Sequence, residues 1–127
     1  MIAANTKTMY SIKHVFEPNP LACGQAVIAM VTGEDVNCII KLVGTDRETK
    51  LIDMKSALAR FGFTLSQKRN EAKSVSDLPD MALLSLETPK CWHWSLYFRG
   101  KVYDPEHGVL CDFPESDRKY FWEIKRV

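Results

Sequence analysis

Leu21-Ala-Cys-Gly-Gln-Ala-Val-Ile-Ala-Met-Val-Thr-Gly33 is the stretch on which the reading of this chain turns. From Gln25 to Thr32 apolar residues recur on every side, the pattern of a helix buried nearly all round, and Gly33 suits its left-handed C-terminal cap. The preceding Glu17-Pro-Asn-Pro20 cannot extend regular structure, because proline removes a backbone donor and restricts the residue before it. A loop therefore delivers the chain to Cys23-Gly24. A thiol where a loop enters a helix feels the positive end of the macrodipole and unpaired N–H groups, which favour thiolate over thiol. Those N–H groups can also receive a developing oxyanion, and Gly24, lacking a side chain, lets a second backbone come close. A small buried hydrophobe is the commonest fate of a free cysteine. Position alone leaves both readings open.

Upstream, Ser11 to Phe16 alternates in polarity and reads as a short strand. Downstream, a second helix begins near Glu34-Asp35; Val36, Ile39, Ile40 and Val43 keep helical spacing, and Gly44 ends it. A third runs from Glu48 to Phe61 with Leu51, Met54, Leu58 and Phe61 as its buried stripe, closed by Gly62. The period then changes from 3.6 to 2. Strands are expected at 63–67, 81–86, 92–98, 101–104, 109–113 and 121–127, with a polar, exposed stretch up to Pro79. Helices first and antiparallel strands afterwards define an α+β domain, its N-terminal helices packed on a C-terminal antiparallel sheet.

The chain has 127 residues, which suits a single domain over 1–127. With 46% hydrophobic and 26% charged residues it can form a core without staples. Its formal charge of +1 leaves no electrostatic footprint for nucleic acid or anionic lipid. The longest uncharged stretch, Pro18 to Gly33, is interrupted by proline and glycine and falls short of the roughly 20 apolar residues a spanning helix needs. Met1 to His14 lacks the apolar run of a signal peptide. Cys23, Cys38, Cys91 and Cys111 show no C-x-x-C spacing, so a cytoplasmic setting with reduced thiols is expected.

A reduced thiol is free to act as a nucleophile if a base can reach it. His93-Trp-Ser-Leu-Tyr-Phe-Arg-Gly-Lys-Val-Tyr-Asp104 reads as a hairpin turning at Arg99-Gly100 between two β-prone runs. With a two-residue loop, Phe98 faces Lys101, Tyr97 faces Val102, Leu96 faces Tyr103 and Ser95 faces Asp104. His93 and Asp104 then emerge on one face as diagonal neighbours, while Trp94, Leu96 and Tyr103 point the other way. A carboxylate fixes the tautomer of a histidine and stabilises its cation, as a base for a cysteine requires. Pro105 leaves that carboxylate at the strand's tip. His14 and His107 show no partner in the sequence.

Together, Leu21 to Gly33, His93-Trp-Ser-Leu-Tyr-Phe98 and Val102-Tyr-Asp-Pro105 resemble the bacteriocin-leader (double-glycine) peptidases, papain-like cysteine peptidases often fused to ABC exporters. The resemblance covers Ser11 to Phe113. It implies a papain-like fold with Cys23 as nucleophile, His93 as base and Asp104 orienting it. It also implies an oxyanion site around Glu17, Asn19 and Gly24. The family carries a glutamine six residues before the cysteine, and this chain carries Glu17, which when ionised only accepts hydrogen bonds. Asn19 is the expected replacement donor, with Gln25 a weaker one because it lies within the helix.

The expected function is a thiol hydrolase acting on a peptide or side-chain amide of a protein or peptide substrate, without a cofactor. A glutamine deamidase of the same fold is an alternative, as is an inactive papain-like binding module, for which Glu17 is the motive. Cys91, His93, His107 and Cys111 also offer zinc-type donors at an unusual spacing.

Overall fold

The computed structural model describes residues 10–127, so the part of the signal-peptide reading that rests on residues 1–9 lies outside the described residues. Among the described residues three helices come first: α1 (Cys23–Thr32), α2 (Val36–Val43) and α3 (Leu51–Ala59). α1 is buried from Cys23 to Val31, as its all-round apolar sequence requires. Gly33, at φ 78°, closes it by donating its N–H to Ala29. The Asp35 carboxylate accepts the Asn37 N–H and starts α2, and Gly44 ends α2 in the left-handed region. α3 starts where Asp53 accepts the Lys50 N–H. It stops at Ala59, two residues short of the expected end, which leaves Phe61 outside the buried stripe of Leu51, Met54 and Leu58 and substantially exposed.

The described strands are β1 (Phe63–Leu65), β2 (Asn70–Glu71), β3 (Met81–Glu87), β4 (Trp92–Phe98), β5 (Lys101–Asp104), β6 (Gly108–Leu110) and β7 (Lys119–Arg126), with a 3₁₀ turn at Val75–Asp77. All described pairings are antiparallel. The sheet order is β1-β7-β3-β4-β5-β6, with β2 paired to a further length of β7. β2 falls in the stretch read as merely polar, and β6 ends at Leu110 instead of continuing to Phe113.

Alternation along β3 and β4 divides the sheet into two faces. Leu83, Leu96, Phe98, Trp122 and Ile124 pack under the helices with Ile28, Ile39, Met54 and Leu58. Ala82, Leu84, Leu86, Tyr97, Val102 and Phe121 form the opposite cluster. Both faces of the central strands are covered, so polar side chains are scarce there. Gln25, His93, Ser95 and Asp104 are the buried polar residues among those described.

Ser11 to Phe16 is not a strand. Ile12 and Val15 pack against the core, which explains the alternation. The backbone pairs with no ladder, and the segment runs as a strap across the end of β5. His14 Nε2 donates to the Asp104 carbonyl at 2.7 Å, and the Glu17 N–H donates to that of Pro105 at 2.9 Å.

Candidate active site

The β4–β5 hairpin turns on Arg99 (φ 43°) and Gly100 (φ 92°), two left-handed residues in succession, as a two-residue turn matched to strand twist requires. The ladder has the expected register, Phe98↔Lys101, Tyr97↔Val102 and Leu96↔Tyr103, and no backbone pair follows. Past Leu96 the strands part, and side chains take over.

Asp104 is fully buried and lies at the centre of what replaces the ladder. Its Oδ1 accepts from His93 Nε2 at 3.0 Å and from Ser95 Oγ at 2.8 Å. Its Oδ2 accepts from the backbone N–H groups of Glu106 and His107 and from His107 Nδ1 at 2.9 Å. A carboxylate only accepts, so both ring nitrogens carry hydrogens toward it. Burial opposes its charge, but the bonds from His93, Ser95 and His107 and the His93 charge hold Asp104 well below the usual carboxylate range.

The same parting of strands admits Cys23. The Trp94 N–H, with no β5 residue opposite, donates to Cys23 Sγ at 3.4 Å. The first turn of α1 thus fills the edge that β5 vacates, bringing a thiol from the helical layer to a histidine on the other sheet face. Burial alone would depress His93. The hydrogen bond to Asp104 and the neighbouring Cys23 sulfur, together with the charges of both, overcome it and raise the imidazole to about 10.

A cleft opens beside the sulfur. Its larger part, about 300 Å³, is lined by Ser85, Trp92, His93 and Trp94. Its narrow part, about 90 Å³, is lined by Cys23, Leu21, Pro20, Trp92 and Trp94. Glu48, Thr49 and Cys91 line both. Trp94 Nε1 donates to the Thr49 carbonyl at 3.1 Å, tying the cleft wall to the segment before α3.

Several expected roles change. Gly24 does not open room for a second backbone: a Cβ there would collide with Thr49 Oγ1 and press on Met54 Sδ and Trp94. Its missing side chain lets α1 pack. Asn19 is committed to its own loop, donating to the Asp46 carbonyl at 3.0 Å and accepting from the Leu21 N–H at 2.8 Å. Gln25 donates to the carbonyls of Thr45 and Arg47 and holds that loop to α1. Glu17 lies half-buried beside His93, Asp104, Glu106 and His107, and burial raises its carboxyl above the usual range. The zinc alternative is not assembled. His93 is engaged by Asp104, Cys91 and Cys111 are exposed, and no group of three or more metal-ligating side chains forms among the described residues.

His14 and His107 are the residues that sequence reasoning missed. All three histidines of the chain bond to Asp104, His14 through the backbone carbonyl. Only His107, three residues beyond Asp104 and after a proline that turns the chain, carried any local signal.

No family model matches the chain, and no curated protein matches its sequence. Among solved structures it is similar to a double glycine motif protease from an AMS/PCAT transporter, crystallised in complex with the leader peptide. The TM-score is 0.66 at 15% identity, covering 92% of this chain and 93% of that one. At that identity the likeness is one of fold, the α+β architecture of a papain-like peptidase. No described helix is long and apolar enough to cross a membrane.

Proposed function

We propose that the protein is a cysteine hydrolase that cleaves amide bonds in a peptide substrate, with Cys23 as nucleophile, His93 as its acid and base, and Asp104 orienting His93. The observation that carries this reading is the buried His93–Asp104 pair on the strand whose Trp94 N–H, next to His93, holds the Cys23 sulfur at 3.4 Å. Catalytic dyads of this kind need a base held by a third group. Here the third group is itself held by Ser95, His107 and two backbone N–H groups. The cleft beside Cys23 suits an extended peptide, and the solved fold neighbour bound to its leader peptide supports a peptide as the substrate class.

In the proposed step, His93 already holds the proton, and Cys23 adds as the sulfur anion to the scissile carbonyl carbon. His93 passes that proton to the leaving amine as the carbon–nitrogen bond breaks. Water, deprotonated by His93, then releases the acyl group from sulfur. Asp104 keeps Nε2 occupied, so that the other ring nitrogen serves the sulfur.

Iodoacetamide alkylation tests the nucleophile without knowledge of the substrate. Cys38, Cys91 and Cys111 are exposed and Cys23 is only 8% exposed, so access alone would make Cys23 the slowest of the four. The expected result is the reverse: Cys23 reacts first below neutral pH and loses that lead in His93→Ala. Cys23→Ala is expected to lower peptide turnover by several orders of magnitude while circular dichroism stays unchanged. Equal reactivity of the four thiols would sink the reading and leave an inert module of the same fold.

A further inference from the structure

Among the described residues only two buried side-chain polar atoms lack a hydrogen-bond partner, Glu17 Oε1 and Gln25 Oε1. The Gln25 amide is anchored through its nitrogen to the carbonyls of Thr45 and Arg47. Glu17 is anchored only through its backbone, whose N–H binds the Pro105 carbonyl. That bond and the His14 bond to Asp104 fix the strap, and they hold the Glu17 carboxyl beside the relay with no partner of its own. Resting on the hydrolase reading above, we propose that Glu17 is a catalytic residue that works as a neutral carboxylic acid, its O–H donating to the oxygen of the substrate carbonyl as negative charge develops there.

The charges around the carboxyl come from three places. His93 on β4 and His107 after β5 favour its ionised form; Asp104 on β5 and Glu106 after it oppose that form. Burial opposes it more strongly than any of these and sets the direction, a raised carboxyl. Ionised Glu17 would place charge on a buried oxygen that no donor reaches, a cost the nearby His93 and His107 offset only in part. The neutral acid has a hydrogen to give, and the resting site offers it no acceptor. Asn19 and Gln25, the other candidate side-chain donors, are committed to backbone carbonyls.

The step balances without a further reagent. A sulfur lone pair forms the carbon–sulfur bond, and the carbonyl π pair moves onto oxygen, where the Glu17 O–H and the Cys23 backbone N–H receive it. When the carbon–nitrogen bond breaks, the pair returns to the carbonyl, the His93 proton leaves with the amine, and the Glu17 proton stays where it was.

The test uses the peptide aldehyde N-acetyl-Phe-glycinal, which adds to a cysteine to give a tetrahedral adduct without being hydrolysed. Its affinity is measured from pH 5 to 8.5 for wild type, Glu17→Gln and Glu17→Ala. Iodoacetamide alkylation, which creates no oxyanion, is run on each. His93 keeps its proton throughout this range, so its charge contributes no slope. The wild type is expected to bind the aldehyde at least about 10-fold more weakly at the alkaline end. Glu17→Gln, whose amide donates at every pH, is expected to stay flat. Glu17→Ala is expected to lose about 100-fold at pH 5, the scale of one oxyanion donor. Alkylation of Cys23 should be alike in all three. Parallel pH profiles for wild type and Glu17→Gln overturn the proposal, as does a Glu17→Ala that binds like wild type. An aldehyde that binds none of them while Cys23 is still alkylated selectively also overturns it, and leaves the nucleophile reading intact. Indiscriminate alkylation strikes the hydrolase reading instead.

Discussion

The two ends of the β4–β5 hairpin are built from the same two strands and held by different physics. At the turn end, backbone ladder bonds and two left-handed residues fix the geometry, and the neighbouring side chains are exposed or apolar. At the open end the ladder stops after Leu96↔Tyr103, and a single buried carboxylate gathers the groups the ladder no longer pairs. Backbone pairing satisfies polar groups without leaving any free to react. A side-chain network satisfies them and keeps an ionisable centre, which is why the candidate site sits where the strands part.

The largest expected effect breaks the open end. Asp104→Ala leaves the buried His93 ring and Ser95 hydroxyl, and the part-buried N–H groups of Glu106 and His107, without their acceptor, a loss of about 3–5 kcal/mol on the scale of broken buried ion pairs. Urea unfolding measures it, and the early alkylation of Cys23 should vanish with it. The deficit depends on pH. His93 is raised from 6.5 to about 10, so its contribution is fully present below 6.5 and fades as pH rises through 10. Asp104 is depressed from 3.8, so its contribution is present above 3.8 and fades as pH falls through its lowered value. The gap between wild type and variant should therefore be widest between pH 4 and 6.5 and narrow toward pH 10. A gap that widened with rising pH would show that the pair is not held as a charged one.

The turn end was the legible one. Two β-prone runs around Arg99-Gly100 admit one short register, and that register puts His93 and Asp104 on one face. α1 was legible for a similar reason, since a run from Ala26 to Val31 with no polar residue can only be buried. What escaped depends on how loops travel. The period-2 alternation of Ser11 to Phe16 suits a strand or a strap laid on a core, and only where the tertiary fold lays the segment, off every ladder, decides between them. The His14 contact spans 90 positions of sequence, and nothing local encodes it. Gly24 was assigned the wrong neighbour for the same reason: the atoms crowding it come from Thr49, Met54 and Trp94, brought in by tertiary packing.

A smaller effect belongs to the turn end. Gly100 sits at φ 92° with no atom near the place a Cβ would occupy. Gly100→Ala therefore meets backbone strain and no collision, a loss of about 1–2 kcal/mol. Because the ladder, and not the turn, adjoins the relay, Cys23 alkylation should keep its wild-type rate in the folded variant. A slower rate would mean that the two ends are coupled through the three ladder pairs, and the contrast between them would lose its meaning.

The smallest effect sharpens the comparison from its exposed side. Arg99 Nε donates to both carboxylate oxygens of Asp80, at 3.2 and 3.1 Å, with the two side chains 49% and 65% exposed. On paper this is an Arg–carboxylate pair with as many contacts on Asp80 as His93 and Ser95 together make on Asp104 Oδ1. Water solvates both of its charges, however, and salt screens them, so such pairs are worth about 0–1 kcal/mol. Arg99→Ala keeps the backbone bond from the Arg99 N–H to the Asp80 carbonyl and keeps the left-handed turn, so it removes only the guanidinium contacts, the ion pair and a cation–π contact 5.0 Å from the Phe98 ring centre. Its expected cost in urea is below about 1 kcal/mol, shrinking further in 0.5 M salt, where the cost of Asp104→Ala should persist. Two carboxylates, each held by a cationic side chain, would then differ several-fold in worth because water reaches Asp80 and does not reach Asp104, and because Asp104 also gathers Ser95, His107 and two backbone N–H groups.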